Sequence, residues 1–198
     1  MISHLTAYCR SSVSMWMLQR AASSYPGHMS VDNSAVEEAL RATLDPLGVP
    51  YEIFPCDPAL ADTAAFCEAY GFAPEDSANT IMVIGKSNPP TYAACVVLAT
   101  TRLDVNRAVK QKFGARASFA PAEMTRELTG MEIGGVTVFG LPTELPIWVD
   151  VRVMERERIV LGGGSRSCKV LATPAILRAL PGVEIVEGLA TEPPSPAN

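Results

Sequence analysis

Two glycine-rich stretches contain the residues of this sequence that are best suited to shaping a ligand site. The first, residues 130–142, carries four of the fourteen glycines and is mostly apolar. Glycine is favoured where φ is positive or where another group approaches the main chain, so Gly134, Gly135 and Gly140 predict a loop moulded around a ligand. A pair of tight turns between two strands explains the same residues, and taken alone they favour that structural interpretation.

The second stretch is the run of three glycines at residues 162–164, followed by Arg166 and Lys169. It matches neither the phosphate-binding loop nor the dinucleotide fingerprint, and no helix is expected directly after it, so the sequence predicts no nucleotide cofactor. Two interpretations remain. Either Arg166 and Lys169 contact a phosphate or carboxylate, or the glycines form a bulge beside two solvated charges, which is the commoner arrangement in proteins.

Histidine and cysteine usage excludes several kinds of chemistry. The two histidines, His4 and His28, both precede the body of the chain, which leaves it without an imidazole for a Ser-His-Asp site, a Cys-His site or a metal. The five cysteines are scattered without a C-x-x-C pair, so neither a disulfide framework nor a zinc site is predicted. Cys67 and Cys95 lie in apolar surroundings typical of core residues in the reducing cytoplasm, and we expect a cytoplasmic location.

Charged residues outside the glycine stretches are further candidates. Lys86 lies in a loop between two apolar strands, where it either faces a substrate or is a polar turn residue. Asp150 ends an apolar strand, where loops build sites, but an N-cap for the following segment is equally natural. A basic face between residues 102 and 116 either meets an RNA backbone or is a solvated helix surface, which is the commoner case. Its members are Arg102, Arg107, Lys110, Lys112 and Arg116.

Composition and charge limit the class of protein and its partners. The net charge is −5; residues 1–100 hold 4 basic and 10 acidic residues, and residues 101–198 hold 12 and 11. This balance argues against a protein that coats DNA, although the second half can receive a polyanion. With 48% hydrophobic residues and no apolar run near the ~20 residues that span a bilayer, we expect a soluble α/β protein with no membrane partner.

The chain is predicted to form one domain over residues 29–190. The Ser-rich residues 1–28 differ from the rest and are predicted to be an N-terminal extension or tail, and the proline-rich residues 191–198 a flexible tail. Caps, apolar spacing and glycine stops predict helices over residues 34–45, 62–70, 104–113, 121–129 and 173–180. Apolar runs predict strands over residues 51–54, 80–84, 93–98, 117–119, 145–149, 158–161, 168–171 and 183–186, of which 80–84 and 93–98 form a hairpin.

Several motifs, taken in order, resemble the YbaK/prolyl-tRNA-editing family of aminoacyl-tRNA deacylases. The resemblance covers about residues 34–189, and the spacing of separate motifs makes it more specific than either glycine stretch. The motifs read Gly134-Gly135-Val-Thr-Val-Phe-Gly140-Leu-Pro, Leu145-Pro-Ile-Trp-Val-Asp150, Gly162-Gly-Gly-Ser-Arg166 and Thr173-Pro174.

This resemblance implies a mixed β-sheet surrounded by helices, and hydrolysis of the ester between a wrong amino acid and its tRNA without a metal or nucleotide cofactor. The implied partner is aminoacyl-tRNA, and the implied pocket lies against the loop at residues 134–140, where backbone N–H groups stabilise an oxyanion. The catalytic candidates are then Asn79, Lys86, Gly134, Gly135 and Asp150. The substrate-binding candidates are Thr137, Phe139, Gly140, Gly163, Gly164 and Arg166, and the tRNA-binding candidates are Arg102, Arg107, Lys110 and Lys112.

Two positions depart from the family pattern. The family usually has Lys-Thr-Leu at the start of the first core strand, where the lysine helps to hold the substrate, whereas this sequence has Asn79, Thr80 and Ile81. The family's glycine loop also usually carries a proline where this sequence has Val138. Because an amide does not replace a cation at equal strength, the alternative function is that of a catalytically impaired relative that binds charged tRNA or an aminoacyl-like ligand.

Overall fold

The computed structural model describes residues 34–193. The predicted N-terminal segment at residues 1–28 lies outside this range, as do residues 194–198 of the predicted C-terminal tail. Within the range, no helix is long and apolar enough to cross a membrane.

Residues 34–193 form short helices at the five places where the sequence predicts them, and a sixth, Val151–Met154, that was not predicted. The α-helices are Ser34–Leu44 (α1), Thr63–Tyr70 (α2), Lys110–Phe113 (α3), Ala122–Thr129 (α4), Val151–Met154 (α5) and Ala175–Arg178 (α6). The predicted glycine stops are present, because Gly71, Gly114 and Gly130 follow α2, α3 and α4 with φ of 69°, 64° and 68°. Glycine adopts this left-handed conformation without the steric cost of a Cβ atom.

Two helices differ from the sequence prediction. The segment after Asp104 starts with a π-helical turn, Val105–Val109, before α3 continues it. The predicted Asp104 cap is nevertheless present, since its side chain accepts a hydrogen bond from the backbone N–H of Arg107. The helix predicted over residues 173–180 is shortened to α6.

The strands assemble into a mixed sheet, a smaller antiparallel sheet and a two-stranded pair. They are Tyr51–Pro55 (β1), Ala78–Gly85 (β2), Thr91–Leu98 (β3), Arg102–Leu103 (β4), Ala117–Phe119 (β5), Ile147–Asp150 (β6), Ile159–Gly162 (β7), Cys168–Ala172 (β8), Val183–Val186 (β9) and Ala190–Thr191 (β10). The five-stranded sheet has the order β5-β2-β3-β6-β9, with β3, β6 and β9 parallel and the β2 pairings antiparallel. The three-stranded sheet, β1-β8-β7, is antiparallel, and β4 pairs with β10.

This topology confirms the predicted mixed sheet with helices, including the hairpin of β2 and β3. The β10 strand was not predicted, and it includes Thr191 from the segment expected to be a tail. The continuous apolar run of β3 is explained by burial on both faces. Ala94 and Val96 pack towards α1 and the three-stranded sheet, whereas Ala93 and Val97 pack towards the helical segment that follows β4.

An aromatic cluster fixes α2 on the outer face of the three-stranded sheet. Phe66 of α2 lies edge-on to Phe54 of β1, with 5.8 Å between ring centroids, and stacks on Phe72 at 5.0 Å. Phe66 is fully buried, and burial of such a side chain contributes about 1.5–3 kcal/mol. The position of α2 relative to β8 is therefore well determined, and it sets one wall of the site described next.

Candidate functional site

A cavity of ≈ 390 Å³ lies where the first half of β2, the start of α2, β7 and the first glycine stretch meet. The end of β5 and the start of α4 complete its lining. The volume lies within the ~300–1,000 Å³ of typical small-ligand sites. Its walls are apolar apart from a few polar side chains, which is the composition expected of a binding site.

The first half of β2 presents an open strand edge to the cavity. β2 pairs with β3 along its whole length, but β5 pairs only with its last three residues. Two contacts hold the remaining edge, because the Ala120 N–H donates to the Met82 carbonyl at 2.9 Å and Ser77 forms a bridge with Val160. In the described part of the chain no strand pairs with residues 78–81 on that side, so this edge is free to form hydrogen bonds with a ligand.

Two polar side chains on this edge differ in their hydrogen bonding. Asn79 Oδ1 accepts a hydrogen bond from Thr63 Oγ1 of α2 at 3.0 Å. Thr80 Oγ1 is buried and has no hydrogen-bond partner among the described residues. A buried hydroxyl without a partner costs about 1–3 kcal/mol.

Lys169 reaches the cavity from β8. The residue is only 6% exposed, and its Nζ donates hydrogen bonds to the Ala61 carbonyl at 2.7 Å and the Gly134 carbonyl at 3.2 Å. Nζ also lies 5.6 Å from the centroid of the Phe66 ring. Because burial disfavours the charged form, it lowers the pKa of Lys169. Lys169 therefore joins the wall that leads into α2 to the wall formed by the glycine loop.

The two glycine stretches pack directly against each other. The Gly164 N–H donates to the Gly135 carbonyl at 2.7 Å, and the Gly164 carbonyl accepts from the Glu132 N–H at 3.0 Å. A Cβ atom on Gly135 would lie 2.0 Å from the Ser165 carbonyl oxygen, and one on Gly162 would lie 2.4 Å from the Gly135 carbonyl oxygen. Glycine is thus required at these two positions because one backbone approaches the other, not because a ligand approaches.

Arg166 ties the loops together beside the cavity. Its Nη1 donates to Asp62 Oδ1 at 3.2 Å and to the Ile133 carbonyl at 3.4 Å, and its Nε donates to the Pro58 carbonyl at 2.9 Å. Hydrogen bonding to Arg166, together with its positive charge, lowers the pKa of Asp62. The interpretation in which Arg166 and Lys169 are solvated charges is therefore wrong, because Lys169 is buried and the Arg166 charge is paired.

Two large apolar side chains of the cavity lining are exposed to solvent. Phe119, at the end of β5, is 55% exposed, and Ile133, in the glycine loop, is 38% exposed. Apolar side chains exposed next to a concave site are typical of ligand contacts. They offer an apolar surface at the opening of the cavity.

The structure brings part of the predicted site together. Asn79 and Gly134 line the cavity, and Arg166 lies beside it. Gly135 and Gly164 support the glycine wall through the contacts described above. Gly163 does so as well, because a Cβ atom there would lie 2.4 Å from Cys168 Sγ.

Other residues of the predicted loop face away from the cavity. Phe139 is 2% exposed within the main core, and Thr137 is fully buried, with its backbone N–H 3.4 Å from Met131 Sδ. Gly140 has φ of 85° and would place a Cβ atom 3.8 Å from Thr43 Oγ1 of α1. The prediction that these three bind substrate is corrected, because the loop turns into the core after residue 136.

Asp150 and Lys86 also lie outside the cavity lining. Asp150 is 1% exposed, and its carboxylate accepts hydrogen bonds from the Arg152 N–H at 3.0 Å and the Ala190 N–H at 2.8 Å. It therefore has the capping role that the sequence left open. Lys86 is exposed in the hairpin, seven residues beyond Asn79, and seven strand residues span about 23 Å. Neither residue is placed to act on a ligand in the cavity.

The basic face does not contribute to the cavity lining. Arg102, Arg107 and Lys110 are exposed. Lys112 is half-buried, forms an ion pair with Glu184 and has its Nζ 5.2 Å from the centroid of the Trp148 ring. Contact between this face and tRNA stays a prediction. Within residues 34–193, no group of three or more His, Cys, Asp or Glu side chains is arranged to hold a metal ion.

The aminoacyl-tRNA editing domain family matches residues 57–180 of this chain. Because the match covers more than half of the chain, the protein belongs to this family, as the sequence motifs indicated. The uncharacterized protein YwhH of Bacillus subtilis (strain 168) is 33% identical over 69 residues, which are 35% of this chain and 44% of the relative. That match thus spans less than half of the relative's length.

Two solved structures are similar in fold. A crystal structure of a candidate trans-editing enzyme for prolyl tRNA synthetase has a TM-score of 0.70 and 23% sequence identity, over 83% of this chain and 100% of that chain. The crystal structure of hypothetical protein APE2540 has a TM-score of 0.69 and 21% identity, over 77% and 99% of the two chains. Identities this low establish a shared fold and no more.

Most residues of the cavity lining, Thr80 and Phe119 among them, were not predicted as site residues, and Lys169 was considered only as one of two cations beside the second glycine stretch. A signal for Lys169 was present, because it is a single cation inside the otherwise apolar run from Cys168 to Ala172. A lysine in such a run is either paired or functional. The sequence contained no comparable signal for Thr80, because the burial of its hydroxyl and the lack of a partner depend on the tertiary packing.

Proposed function

We propose that this protein is a trans-acting aminoacyl-tRNA deacylase that hydrolyses the ester of a mischarged tRNA. One observation carries the proposal. In a chain of the aminoacyl-tRNA editing family, Gly134 and the open edge of β2 line one cavity, whose size suits an aminoacyl group. The basic face is proposed to contact the tRNA backbone, and the compartment is proposed to be the cytoplasm.

The proposed reaction is attack of water on the ester carbonyl carbon. The carbonyl becomes an oxyanion, the bond from carbon to the ribose oxygen then breaks, and that oxygen takes up a proton. The products are the free amino acid and the uncharged tRNA. Hydrogen-bond donors aimed at the oxyanion accelerate such reactions, and the candidate donors here are the backbone of residues 78–81 and the ammonium of Lys169.

No histidine occurs among the described residues, so an imidazole base is not part of the proposal. The proton acceptor is instead proposed to be the free hydroxyl of the terminal ribose, which the substrate itself brings next to the ester. At the cavity opening, Phe119 and Ile133 would contact the terminal adenine, because an aromatic ring exposed beside a site is a stacking surface for an unpaired base.

The test is hydrolysis of a panel of mischarged tRNAs by the purified full chain. We expect at least one ester to be cleaved faster than in buffer, and we expect the matched cognate pair to be spared. Absence of cleavage above buffer for every member of the panel would overturn the proposal.

One observation favours a second candidate, a relative that binds charged tRNA without cleaving it. The usual lysine is Asn79, and its side-chain oxygen is already occupied by Thr63. This candidate predicts tight binding of aminoacyl-tRNA that protects the ester from spontaneous hydrolysis. Protection and cleavage are opposite changes in the same assay, so one time course with and without protein separates the two candidates.

A further inference from the structure

We infer that Lys169, on β8, is the cation that contacts the substrate in the cavity. It supplies the positive charge that a lysine at residue 79, on β2, usually supplies in the family. The inference rests on the proposed function and names the group that positions the ester. Asn79 and Lys169 belong to different strands and line the same cavity. The positive charge is therefore retained in the cavity and comes from another wall.

The hydrogen bonds of Lys169 leave part of its ammonium group for a ligand. An ammonium carries three N–H donors, and two of those on Nζ are directed at the carbonyls of Ala61 and Gly134. Both acceptors belong to residues that line the cavity. One N–H remains, and it is held at a defined place because the other two are fixed.

The charge of Lys169 is not neutralised by a neighbouring carboxylate. In residues 34–193 no Asp or Glu side chain forms an ion pair with it, and the nearby Asp62 is paired with Arg166. A buried ammonium without a counter-charge is costly, and carbonyl oxygens compensate only part of that cost. Burial accordingly lowers the pKa of Lys169. A ligand that brings an electron-rich oxygen would supply the missing interaction.

The ligand oxygen that fits is the carbonyl oxygen of the ester. The remaining N–H donates to this oxygen in the ground state and more strongly once water has added and the oxygen carries a full negative charge. When the carbonyl double bond re-forms and the bond to the ribose oxygen breaks, the negative charge passes to that ribose oxygen, which takes up the proton released by the attacking water. Lys169 keeps its own proton throughout, so the step requires no other reactant.

A purely structural role is the competing explanation, because Lys169 also joins two walls of the cavity. The two roles differ in what a cation at residue 79 does. A lysine at residue 79 would approach the same cavity from β2 and restore its charge, but it would not restore hydrogen bonds that start from β8. Recovery of binding by a charge at residue 79 therefore distinguishes a substrate-facing cation from a structural tie.

The experiment measures the affinity of the full chain for adenosine probes that carry an amino acid through a non-hydrolysable 3′-amide. The variants are Lys169→Met, Asn79→Lys and the double variant Asn79→Lys/Lys169→Met. Arg178→Met is the control, because it removes an exposed cation of α6 outside the cavity. We expect Lys169→Met to bind roughly 10- to 100-fold more weakly, as for one charge-assisted hydrogen bond. The double variant is expected to regain most of that loss, and the control to bind like the parent.

Four results would overturn the inference. They are unchanged binding by Lys169→Met, no recovery in a folded double variant, no probe binding by the parent chain, and tighter binding by Asn79→Lys alone. The Asn79→Lys variant tests the inference even if Lys169→Met does not fold. If Lys169 already donates a hydrogen bond to the substrate, a second cation at residue 79 should not tighten probe binding. If the parent binds the probe but cleaves no mischarged tRNA, the deacylase proposal fails while the probe affinities still decide the role of Lys169.

Discussion

The cavity and the basic face both carry positive charge, but they hold it in different ways. Lys169 is buried and fixed by two carbonyls, whereas Arg102, Arg107 and Lys110 are exposed. A fixed and desolvated charge acts on one atom of a ligand, and its effect is large and local. Exposed charges act on a polyanion at longer range, each weakly, and their effect falls as the salt concentration rises. The two regions therefore suit different parts of one substrate, the ester and the nucleic-acid backbone.

The largest effect is expected from a side chain forced between the two glycine stretches. Gly135→Ala would place a methyl group 2.0 Å from the Ser165 carbonyl oxygen, so the loops must separate. We expect a loss of about 3 kcal/mol in the free energy of unfolding, measured with urea. Gly48→Ala is the matched control, since it has open space but φ of 65°, and it should cost about 1–2 kcal/mol. Equal losses in the two variants would show that loop contact does not build the cavity.

The next effect is the dependence of probe binding on pH. The pKa of Lys169 is lowered by burial and by Arg166, while Cys56, Cys168 and Asp62 act in the opposite direction. Because the ammonium loses its proton as pH rises through this lowered pKa, affinity should fall at a pH below the usual ~10.5 of lysine. Burial raises the pKa of the Cys56 and Cys168 thiols, which favours their neutral forms.

Lys169→Arg is the matched variant for this measurement. Arginine keeps its charge throughout the range, so its probe affinity should be flat where that of the parent falls. An alkaline loss that is the same in both proteins would assign the titration to another group.

A smaller effect is expected on the basic face. Arg107→Glu combined with Lys110→Glu should weaken binding of intact tRNA about tenfold at low salt and reduce the slope of log affinity against log salt by about 1.5. Binding of the small adenosine probe should not change. Arg178→Glu makes one such charge reversal elsewhere and is compared with Arg107→Glu alone; an equal loss of tRNA binding in these two variants would mean that overall charge, not this face, is responsible.

The smallest effect concerns the opening of the cavity. Phe119→Ala should raise KM a few-fold and leave kcat within a factor of two, since a stacking contact is made equally in the ground and transition states. Phe119→Tyr keeps the ring and should behave like the parent. A fall in kcat with unchanged KM would place Phe119 at the reacting ester instead of at the base.

The sequence was sufficient for most elements of the fold and for one wall of the site. Strands β2 and β3 were predictable because both of their faces are buried, which leaves continuous apolar runs. Gly134 was correctly expected at the cavity. Phe139 and Gly140 were wrongly grouped with it, because the point where the loop turns into the core depends on packing with α1. Lys86 was preferred over Lys169 as the lysine of the site. The structure reverses this choice, because burial and strand direction decide which lysine lines the cavity.

The contact between the two glycine stretches has a consequence for how this scaffold can change its specificity in evolution. No side chain can be introduced at Gly135 or Gly162, because an added Cβ atom would collide with backbone. New amino-acid preferences must then arise on the facing walls, from residues such as Thr63, Ile81 and Thr125. The contact between the two glycine stretches therefore restricts changes of specificity to the other residues of the cavity lining.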